Sequence, residues 1–368
     1  MKIKTLILFL ICSVSLFAQK PFRDTIPFRN DLGLIIIPIQ FNGVEKQFVF
    51  DTGATHSVGF SWVKEELKKT SKTQRMTSSS KEKSRLRYYK SDSVNLASAR
   101  ITKHRILKTN DSDIFSCYNI DGILGVDIIA HFNWIINYKE KYVVMYNHDF
   151  YPDDLKDMHI IDFDYADKRP YAFLNFNDER LRFLLDTGAT FSDVYIKNYN
   201  QIKALDHKRK DVYSGFYDFN GKLSKEKSSV LEFSNIKTNK IELAGIFDFS
   251  KKSNKIGNSL WGDSTLFLSL KNDKLYTNQL CIEESRKGYG CAFVFENNKI
   301  TVVKVIVDSE AWKQGLRQGS VIQNINGRTF TDFCSLDSYQ RDFLAKEEEL
   351  SITLPDNSVV ILKKENIF

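Results

Sequence analysis

The chain alternates between short apolar runs and polar turn pairs over most of its length. Two segments share one plan, in which an apolar run, a turn pair and a second apolar run follow each other. They are Ile35–Phe41, Asn42-Gly43 and Phe48–Phe50 in the first segment, and Tyr171–Phe176, Asn177-Asp178 and Phe183–Leu185 in the second. Such turn pairs between apolar runs indicate β-hairpins, and β-branched and aromatic residues favour strands. The pattern therefore predicts a mostly β protein.

An internal repeat organises the first part of the chain. Asp-Thr-Gly-Ala-Thr follows the second strand of each hairpin, at Asp51–Thr55 and again at Asp186–Thr190. A glycine segment follows at a similar distance in each copy, and we align Asp121–Gly125 with Asn258–Gly262. Two units with the same order of elements predict two β lobes in a pseudo-twofold arrangement. The predicted lobes are residues 28–150 and 160–280.

A third unit with a different pattern follows at residues 283–367. The glycine-rich turn Gly288–Cys291 leads into a predicted strand at Ala292–Phe295. Ser309 is a suitable N-cap for a short helix, and a longer amphipathic helix is predicted over Leu336–Ala345. Strands and helices together predict a small α+β domain at this end of the chain.

The repeated Asp-Thr-Gly suggests the chemistry. Two such loops can face each other and bring the carboxyl groups of Asp51 and Asp186 together. Two carboxylates about 3 Å apart cannot both ionise, so they share one proton. One can then act as general base on a water molecule while the other acts as general acid. The alternatives are two unrelated turn aspartates, or a fold that keeps the motif and only binds peptides.

The residues after each aspartate are the expected support of this pair. They are Thr52, Gly53, Ala54, Thr187, Gly188 and Ala189. Each threonine is expected to form a hydrogen bond with the opposite loop, and each glycine lets the two backbones approach without a Cβ. Alanine, unlike serine or threonine, cannot donate a hydroxyl to an ionised carboxylate. The pair should therefore hold its proton to higher pH.

Composition adds little to this picture. The chain has 368 residues, 42% of them hydrophobic and 27% charged, with a formal net charge of +7. Much of the basic character lies in Lys64–Lys90, which could bind nucleic acid but is rich in Ser and Thr, so we interpret it as a solvated loop face. Two hairpins that could cover a cleft between the two predicted lobes are expected at Lys72–Tyr89 and Tyr213–Leu223.

Other kinds of site have no support in the sequence. The six histidines lack metal-ligand spacing. There is no phosphate-binding glycine loop and no Gly-x-Ser-x-Gly elbow. We therefore expect no metal, no cofactor and no nucleic-acid partner.

The N-terminus has the pattern of a secretory signal peptide over residues 1–18. Lys2 and Lys4 precede the apolar stretch Leu6–Leu16, which is too short to span a membrane, and Ala18 suits the last position of the signal. No later stretch of the sequence is long and apolar enough for a span. We expect an exported protein, whether periplasmic, surface-associated or secreted.

Cysteine usage leaves two possibilities open. After Cys12, four cysteines remain, at Cys117, Cys281, Cys291 and Cys334. Export permits disulfides, but four cysteines over so long a chain do not form a disulfide scaffold. Buried free thiols, with or without a single bridge, are the favoured interpretation.

The repeated motifs resemble those of retropepsin-like aspartic peptidases of the bacterial exported type. The resemblance covers roughly Ile35–Tyr276 and rests on both Asp-Thr-Gly-Ala motifs and on Ile123-Leu124-Gly125. It implies both half-sites on one chain, hence a monomer, and a polypeptide substrate held in an extended conformation. Leu260-Trp261-Gly262 departs from the family pattern, because Trp261 is bulky for a place beneath the active loop.

The third unit resembles a PDZ domain, and the resemblance implies an α+β fold in the form of a partly open barrel. Its motifs are the turn Gly288, Tyr289, Gly290 and Cys291, the segment Ser309–Ile322 and the turn Ile325-Asn326-Gly327. The resemblance implies that the first of these binds the C-terminal carboxylate of a peptide ligand.

The sequence thus predicts an exported aspartic endopeptidase with a peptide-binding C-terminal domain. A non-catalytic peptide-binding protein on the same fold is the alternative. A surface interaction protein that uses the basic segment is a further alternative.

Overall fold

Strands dominate the fold, as the alternation of apolar runs and turns predicts. The computed structural model describes residues 21–78, 81–176, 179–189, 194–197, 207–218, 223–238, 241–249, 254–279 and 287–367. The predicted signal peptide, the turn Asn177-Asp178, residue Thr190 and Cys281 lie outside the described residues.

The first unit is built from twelve strands, three short helices and a 3₁₀ turn at Asp31–Gly33. The strands are β1 (Arg23–Pro27), β2 (Ile36–Phe41), β3 (Val44–Phe50), β4 (Val58–Gly59), β5 (Lys68–Thr77), β6 (Lys83–Lys90), β7 (Ser93–Leu96), β8 (Ala99–Thr102), β9 (Arg105–Lys108), β10 (Gly122–Leu124), β11 (Asn133–Asn137) and β12 (Tyr142–Tyr146). The helices are α1 (Trp62–Glu66), α2 (Asp113–Cys117) and α3 (Val126–Ile129).

A nine-stranded sheet forms the body of this unit, in the order β5-β6-β9-β4-β10-β3-β2-β7-β8. Strands β2 and β3 are the hairpin predicted around Asn42-Gly43. Both turn residues have positive φ, 52° and 88°, as a type I′ turn requires. Strand β10 runs parallel to β3, with Leu124 opposite Phe50. This parallel pairing places the glycine segment beside the residue that precedes Asp51.

The second unit repeats this plan. Its strands are β13 (His159–Ile161), β14 (Phe163–Ala166), β15 (Arg169–Phe176), β16 (Glu179–Leu185), β17 (Val194–Ile196), β18 (His207–Tyr217), β19 (Leu223–Thr238), β20 (Ile241–Phe249), β21 (Lys255–Ile256), β22 (Thr265–Ser269) and β23 (Lys274–Thr277), with 3₁₀ turns at Pro152–Leu155 and Asn258–Trp261. Strands β15 and β16 form its hairpin, and β21 runs parallel to β16.

A six-stranded sheet joins the two units, in the order β1-β12-β11-β22-β23-β13. Strand β11 of the first unit pairs antiparallel with β22 of the second over five residues, from Asn133↔Ser269 to Asn137↔Thr265. One hydrophobic core runs through both units and includes Phe50, Trp134 and Trp261, which are fully buried. The two units are therefore fixed to each other by backbone hydrogen bonds and by a shared core.

The C-terminal unit has its own core. Its strands are β24 (Lys287–Gly288), β25 (Cys291–Glu296), β26 (Lys299–Ile306), β27 (Val321–Ile322), β28 (Asn324–Ile325), β29 (Glu349–Thr353), β30 (Val359–Lys363) and β31 (Glu365–Asn366). Its helices are α4 (Glu310–Lys313) and α5 (Phe333–Tyr339), and α5 continues as a π-helical turn at Gln340–Leu344. Ser309 caps α4, as predicted, by accepting a hydrogen bond from the Trp312 N–H. Buried Val302, Ile325 and Leu350 belong to this separate core.

The C-terminal unit is attached to both β units. Strand β26 pairs with β18 of the second unit, through Val212↔Ile306 and Tyr213↔Val305. The Tyr213 ring also stacks on Trp312, with 5.8 Å between ring centroids. These contacts extend the sheet of the second unit to eleven strands.

A disulfide makes the attachment to the first unit. Cys117 at the end of α2 is bonded to Cys334 in α5. Beside it the Tyr118 hydroxyl donates to Asp337, and the Arg341 guanidinium lies 5.1 Å from the centroid of the Tyr118 ring. The described residues thus contain the single bridge that the sequence left open, while Cys291 is free.

In the part of the chain that the structure describes, none of the helices combines the length and the apolar character that a bilayer span needs.

Removing the disulfide should destabilise the protein. The bridge closes a loop of 217 residues, so it lowers the entropy of the unfolded chain, and we expect Cys117→Ser/Cys334→Ser to lower the free energy of unfolding by about 2–4 kcal/mol. Urea denaturation of the full chain measures this. Cys291→Ser is the control, because Cys291 is outside the bridge. A loss no larger than that of the control would contradict the prediction.

Candidate active site

The two Asp-Thr-Gly loops occupy equivalent places at the ends of strands. Asp51 follows β3 and its backbone N–H donates to the Leu124 carbonyl at 3.0 Å. Asp186 follows β16 and its N–H donates to the Ile256 carbonyl at 2.9 Å. Each loop is held by the short parallel strand beside it, β10 in the first unit and β21 in the second.

Two threonines connect the loops to each other. The Thr52 N–H donates to the Thr187 hydroxyl oxygen at 3.0 Å, and the Thr187 N–H donates to the Thr52 hydroxyl oxygen at 3.1 Å. Each hydroxyl in turn donates across the interface, Thr52 to the Leu185 carbonyl at 2.7 Å and Thr187 to the Phe50 carbonyl at 2.6 Å. Both threonines are fully buried. Four reciprocal hydrogen bonds, shielded from water, therefore fix the spacing of the two loops.

The glycine after each threonine lies against the opposite aspartate. A Cβ on Gly53 would come within 2.5 Å of the Asp186 carboxyl carbon, and one on Gly188 within 2.6 Å of the Asp51 carboxyl carbon. Any side chain at either position would displace a carboxyl group. The absence of a Cβ is what allows the two aspartates to approach.

Asp51 carries the strongly perturbed carboxyl of the pair. Burial is the largest cause and the charge of Asp186 the second, and together they raise the pKa of Asp51 from 3.8 to about 7. The Gly53 and Ala54 N–H groups donate to its Oδ1 at 2.8 and 3.1 Å and oppose this shift in part. At weakly acidic pH the Asp51 carboxyl is therefore protonated.

Asp186 has a partner that the sequence analysis did not identify. The ammonium Nζ of Lys255 lies 2.8 Å from Asp186 Oδ2, and the Gly188 N–H donates to Asp186 Oδ1 at 3.2 Å. The charge of Asp186 is the main cause that raises the pKa of Lys255, so the lysine is charged. Among the described residues the pair of aspartates is accordingly asymmetric, because the cation lies beside Asp186.

The glycine segment predicted for the second unit, Asn258–Gly262, is wrong, because a different segment pairs with the strand that precedes Asp186. In the parallel ladders Leu124 lies opposite Phe50, and Ile256 lies opposite Leu185, so the segment is Lys255-Ile256-Gly257 and not Leu260-Trp261-Gly262. Gly125 and Gly257 precede helical turns with nearly the same backbone angles, φ −93° and ψ 177° against φ −95° and ψ −179°.

Trp261 therefore does not stand at the tight position beneath the loop. It lies in the 3₁₀ turn that follows, where it is fully buried in the shared core. An alignment on Gly257 would have found Lys255, because Ile-Gly precedes the helical turn there as Leu-Gly does in the first unit.

The two predicted cleft hairpins have different surroundings. In the first unit, Tyr88 of β6 lies near His56, which follows the Asp-Thr-Gly loop, with 6.2 Å between ring centroids. Burial lowers the pKa of His56, whose Nδ1 lies 2.9 Å from the Thr55 hydroxyl. In the second unit, β18 is paired with β26 of the C-terminal unit. Only the first hairpin reaches a motif loop through these contacts.

The glycine turn of the C-terminal unit lies between β24 and β25. Gly288 pairs with Glu365 of β31, and the buried Tyr289 donates its hydroxyl to the Glu347 carbonyl at 2.6 Å. Gly290 has φ 73°, which favours glycine, and a Cβ there would clash with Ser309. Burial raises the pKa of the Cys291 thiol to about 12, so it is not a reactive thiolate.

The edge of β25 beside this turn is engaged by one side chain. Strand β25 is the last in its sheet, so its outer edge faces α5 and the turn that follows α5. Gln340 bonds both backbone groups of Phe293, accepting from its N–H at 3.2 Å and donating to its carbonyl at 3.2 Å. These are the groups that an added peptide strand would use.

Comparison with known proteins supports the first unit alone. Residues 37–128 match the model of a family described as aspartyl protease. The match includes Asp51–Ala54 and the segment Gly122–Gly125, and it indicates a peptidase. No curated protein matches the chain.

The ionisation of Asp51 should make stability depend on pH. Its pKa is higher in the folded state than 3.8, so the stability that its proton contributes is complete below about pH 4 and is lost as the pH rises to about 7. Asp51→Asn cannot ionise, so its free energy of unfolding relative to wild type should increase between pH 4 and pH 8. Urea denaturation across this range measures it. The exposed Asp153→Asn is the control, and equal pH dependence in wild type and Asp51→Asn would contradict the prediction.

Proposed function

We propose that this protein is an exported aspartic endopeptidase, which hydrolyses peptide bonds through Asp51, Asp186 and an activated water. The observation that carries the proposal is the reciprocal contact of the two loops, in which each glycine lies against the opposite aspartate. The family match at residues 37–128 supports the same class of activity.

The ionisation of the pair assigns a role to each aspartate. Asp186, whose carboxylate lies beside the Lys255 ammonium, takes a proton from the water as the water oxygen attacks the scissile carbonyl carbon. Asp51 is protonated below about pH 7 and donates its proton to the carbonyl oxygen, on which negative charge develops. The proton on Asp186 then passes to the leaving amine, one hydroxyl of the tetrahedral intermediate returns a proton to Asp51, and the C–N bond breaks.

A polypeptide in extended conformation suits the cleft between the two units. The β5–β6 hairpin places Tyr88 next to His56, which follows the first loop, and there both side chains would contact the substrate. Hydrolysis by this mechanism needs water and two carboxyl groups, and the chain supplies both half-sites by itself. The protein would act as a monomer.

The alternative function, peptide binding without hydrolysis, is favoured by one observation. The Lys255 ammonium neutralises a carboxylate that the reaction needs as a base. Mass spectrometry of a peptide library after incubation with the protein separates the two functions, because only the enzyme yields cleavage products.

Export is part of the proposal. The signal pattern at residues 1–18 motivates it, and the Cys117–Cys334 disulfide supports it, because such bonds persist in oxidising compartments.

Loss of either carboxyl group should abolish hydrolysis. We expect Asp51→Asn to lower kcat/KM by at least ~10²-fold, since the remaining carboxylate cannot be both acid and base. For Asp186 the informative variant is Asp186→Asn/Lys255→Met, which avoids an unpaired buried ammonium. Cleavage of a peptide library measures both, with the exposed Asp153→Asn as control. Substantial activity of Asp51→Asn would contradict the assignment.

We further propose that the C-terminal unit is a PDZ domain that binds the C-terminal carboxylate of a peptide at Gly288–Cys291. The peptide would add as a strand to the outer edge of β25, where Gln340 must first release Phe293.

Gln340→Ala should therefore strengthen peptide binding. In this variant the peptide no longer has to displace the Gln340 side chain, whose hydrogen bonds to Phe293 are worth roughly 1 kcal/mol or more. We therefore expect a peptide with a free C-terminus to bind about fivefold to tenfold more tightly. Calorimetry on the full-length chain measures this. Gln314→Ala is the control, because Gln314 bonds the Ile361 carbonyl elsewhere in the same unit. Equal affinity for a peptide acid and its amide would contradict carboxylate recognition.

A further inference from the structure

We propose that Lys255 is a positioning residue of the catalytic centre, which determines which of the two aspartates holds the proton. The inference rests on the peptidase function proposed above and deepens it. In a symmetric pair either carboxyl group can hold the shared proton. A single cation bound to one of them removes that symmetry.

The contact is an internal ion pair. Lys255 Nζ lies 2.8 Å from Asp186 Oδ2, and the two side chains are only 26% and 10% exposed. A pair shielded to this extent is screened much less by solvent than a surface pair. The lysine is also held in place by its backbone, since β21 lies between β16 and β17 in the sheet.

The internal repeat allows Lys255 to be compared with the residue at the equivalent position of the first unit. In the second unit Lys255 lies opposite Leu184, and in the first unit Ile123 lies opposite Val49. The same position of the fold therefore carries an ammonium beside Asp186 in the second unit and a buried aliphatic side chain in the first. The pseudo-symmetric scaffold is kept, and the charge is added on one side.

In the described part of the chain, the charged groups that act on this centre come from four elements. They are Asp51 after β3, Asp186 after β16, Lys255 on β21 and Arg169 at the start of β15, which acts on Lys255 from farther away. With the proton on Asp51, the three central groups carry no net charge. In the attack step Asp186 then accepts the proton of the water and Asp51 donates its proton to the carbonyl oxygen, so proton transfer has one defined direction.

Removing the charge of Lys255 should move the pH profile of hydrolysis upward. The ammonium lowers the pKa of Asp51, so its removal lets Asp51 keep its proton to higher pH and raises the basic limb. We expect the basic limb of kcat/KM to rise by about one pH unit or more in Lys255→Met.

The variants separate charge from packing. Lys255→Arg keeps the charge and should restore the position of the profile, whereas Lys255→Gln is a second neutral variant in case Lys255→Met does not fold. Lys271→Met removes an exposed lysine of the same unit and should leave the profile in place. A profile that is unmoved in both neutral variants would overturn the inference. Higher kcat/KM at every pH would also overturn it, because the lysine would then block the site.

A second measurement does not depend on activity. In protein labelled with ¹³C at the aspartate carboxyl carbons, the resonance lost in Asp51→Asn identifies Asp51. Its titration midpoint should rise by about one pH unit or more in Lys255→Met and return in Lys255→Arg. If wild type cleaves no peptide but this midpoint moves as expected, the peptidase proposal fails and the role of Lys255 stands. If peptides are cleaved and the midpoint does not move, the inference about Lys255 fails alone.

Discussion

The contact on which this structure depends is the exchange of hydrogen bonds between Thr52 and Thr187. Each hydroxyl accepts from the opposite backbone N–H and donates to the carbonyl that precedes the opposite aspartate. Because both threonines are buried, these groups have no water to replace a lost partner, so the spacing of the loops is strongly determined. At this spacing Gly53 and Gly188 each lie against the carboxyl group of the opposite aspartate, which a Cβ would displace.

Two carboxyl groups held close together repel each other when both are ionised, and the cation that offsets this repulsion lies beside Asp186. Burial and mutual repulsion keep the proton on Asp51, while the ammonium of Lys255 compensates the charge of Asp186. The repeat supplies two equivalent positions for such a residue, and the first unit has Ile123 there. A duplicated scaffold can therefore give its two aspartates different electrostatic surroundings when a single buried position differs between the copies.

The C-terminal unit is more than an appended domain, because it contacts both β units. It is bonded covalently to the first unit through Cys334 and shares a sheet with the second through β18 and β26. Its strand edge at Phe293 faces the helix α5 that carries the disulfide. Any peptide that opened this edge would act on an element that is tied to the first β unit.

The sequence by itself determined the strands, the two hairpins and the position of both Asp-Thr-Gly motifs, because these depend on neighbouring residues and on a repeat that is visible in one dimension. Only the tertiary structure decided what lies beside them. Lys255 meets Asp186 through the register of a two-residue parallel ladder, and the misaligned glycine segment shows that spacing alone does not fix such a register. Cys117 and Cys334 are 217 residues apart, and β26 pairs with β18 over a shorter but still long separation in the sequence. Contacts of this sort depend on how three-dimensional surfaces pack together, which local patterns in the chain do not record.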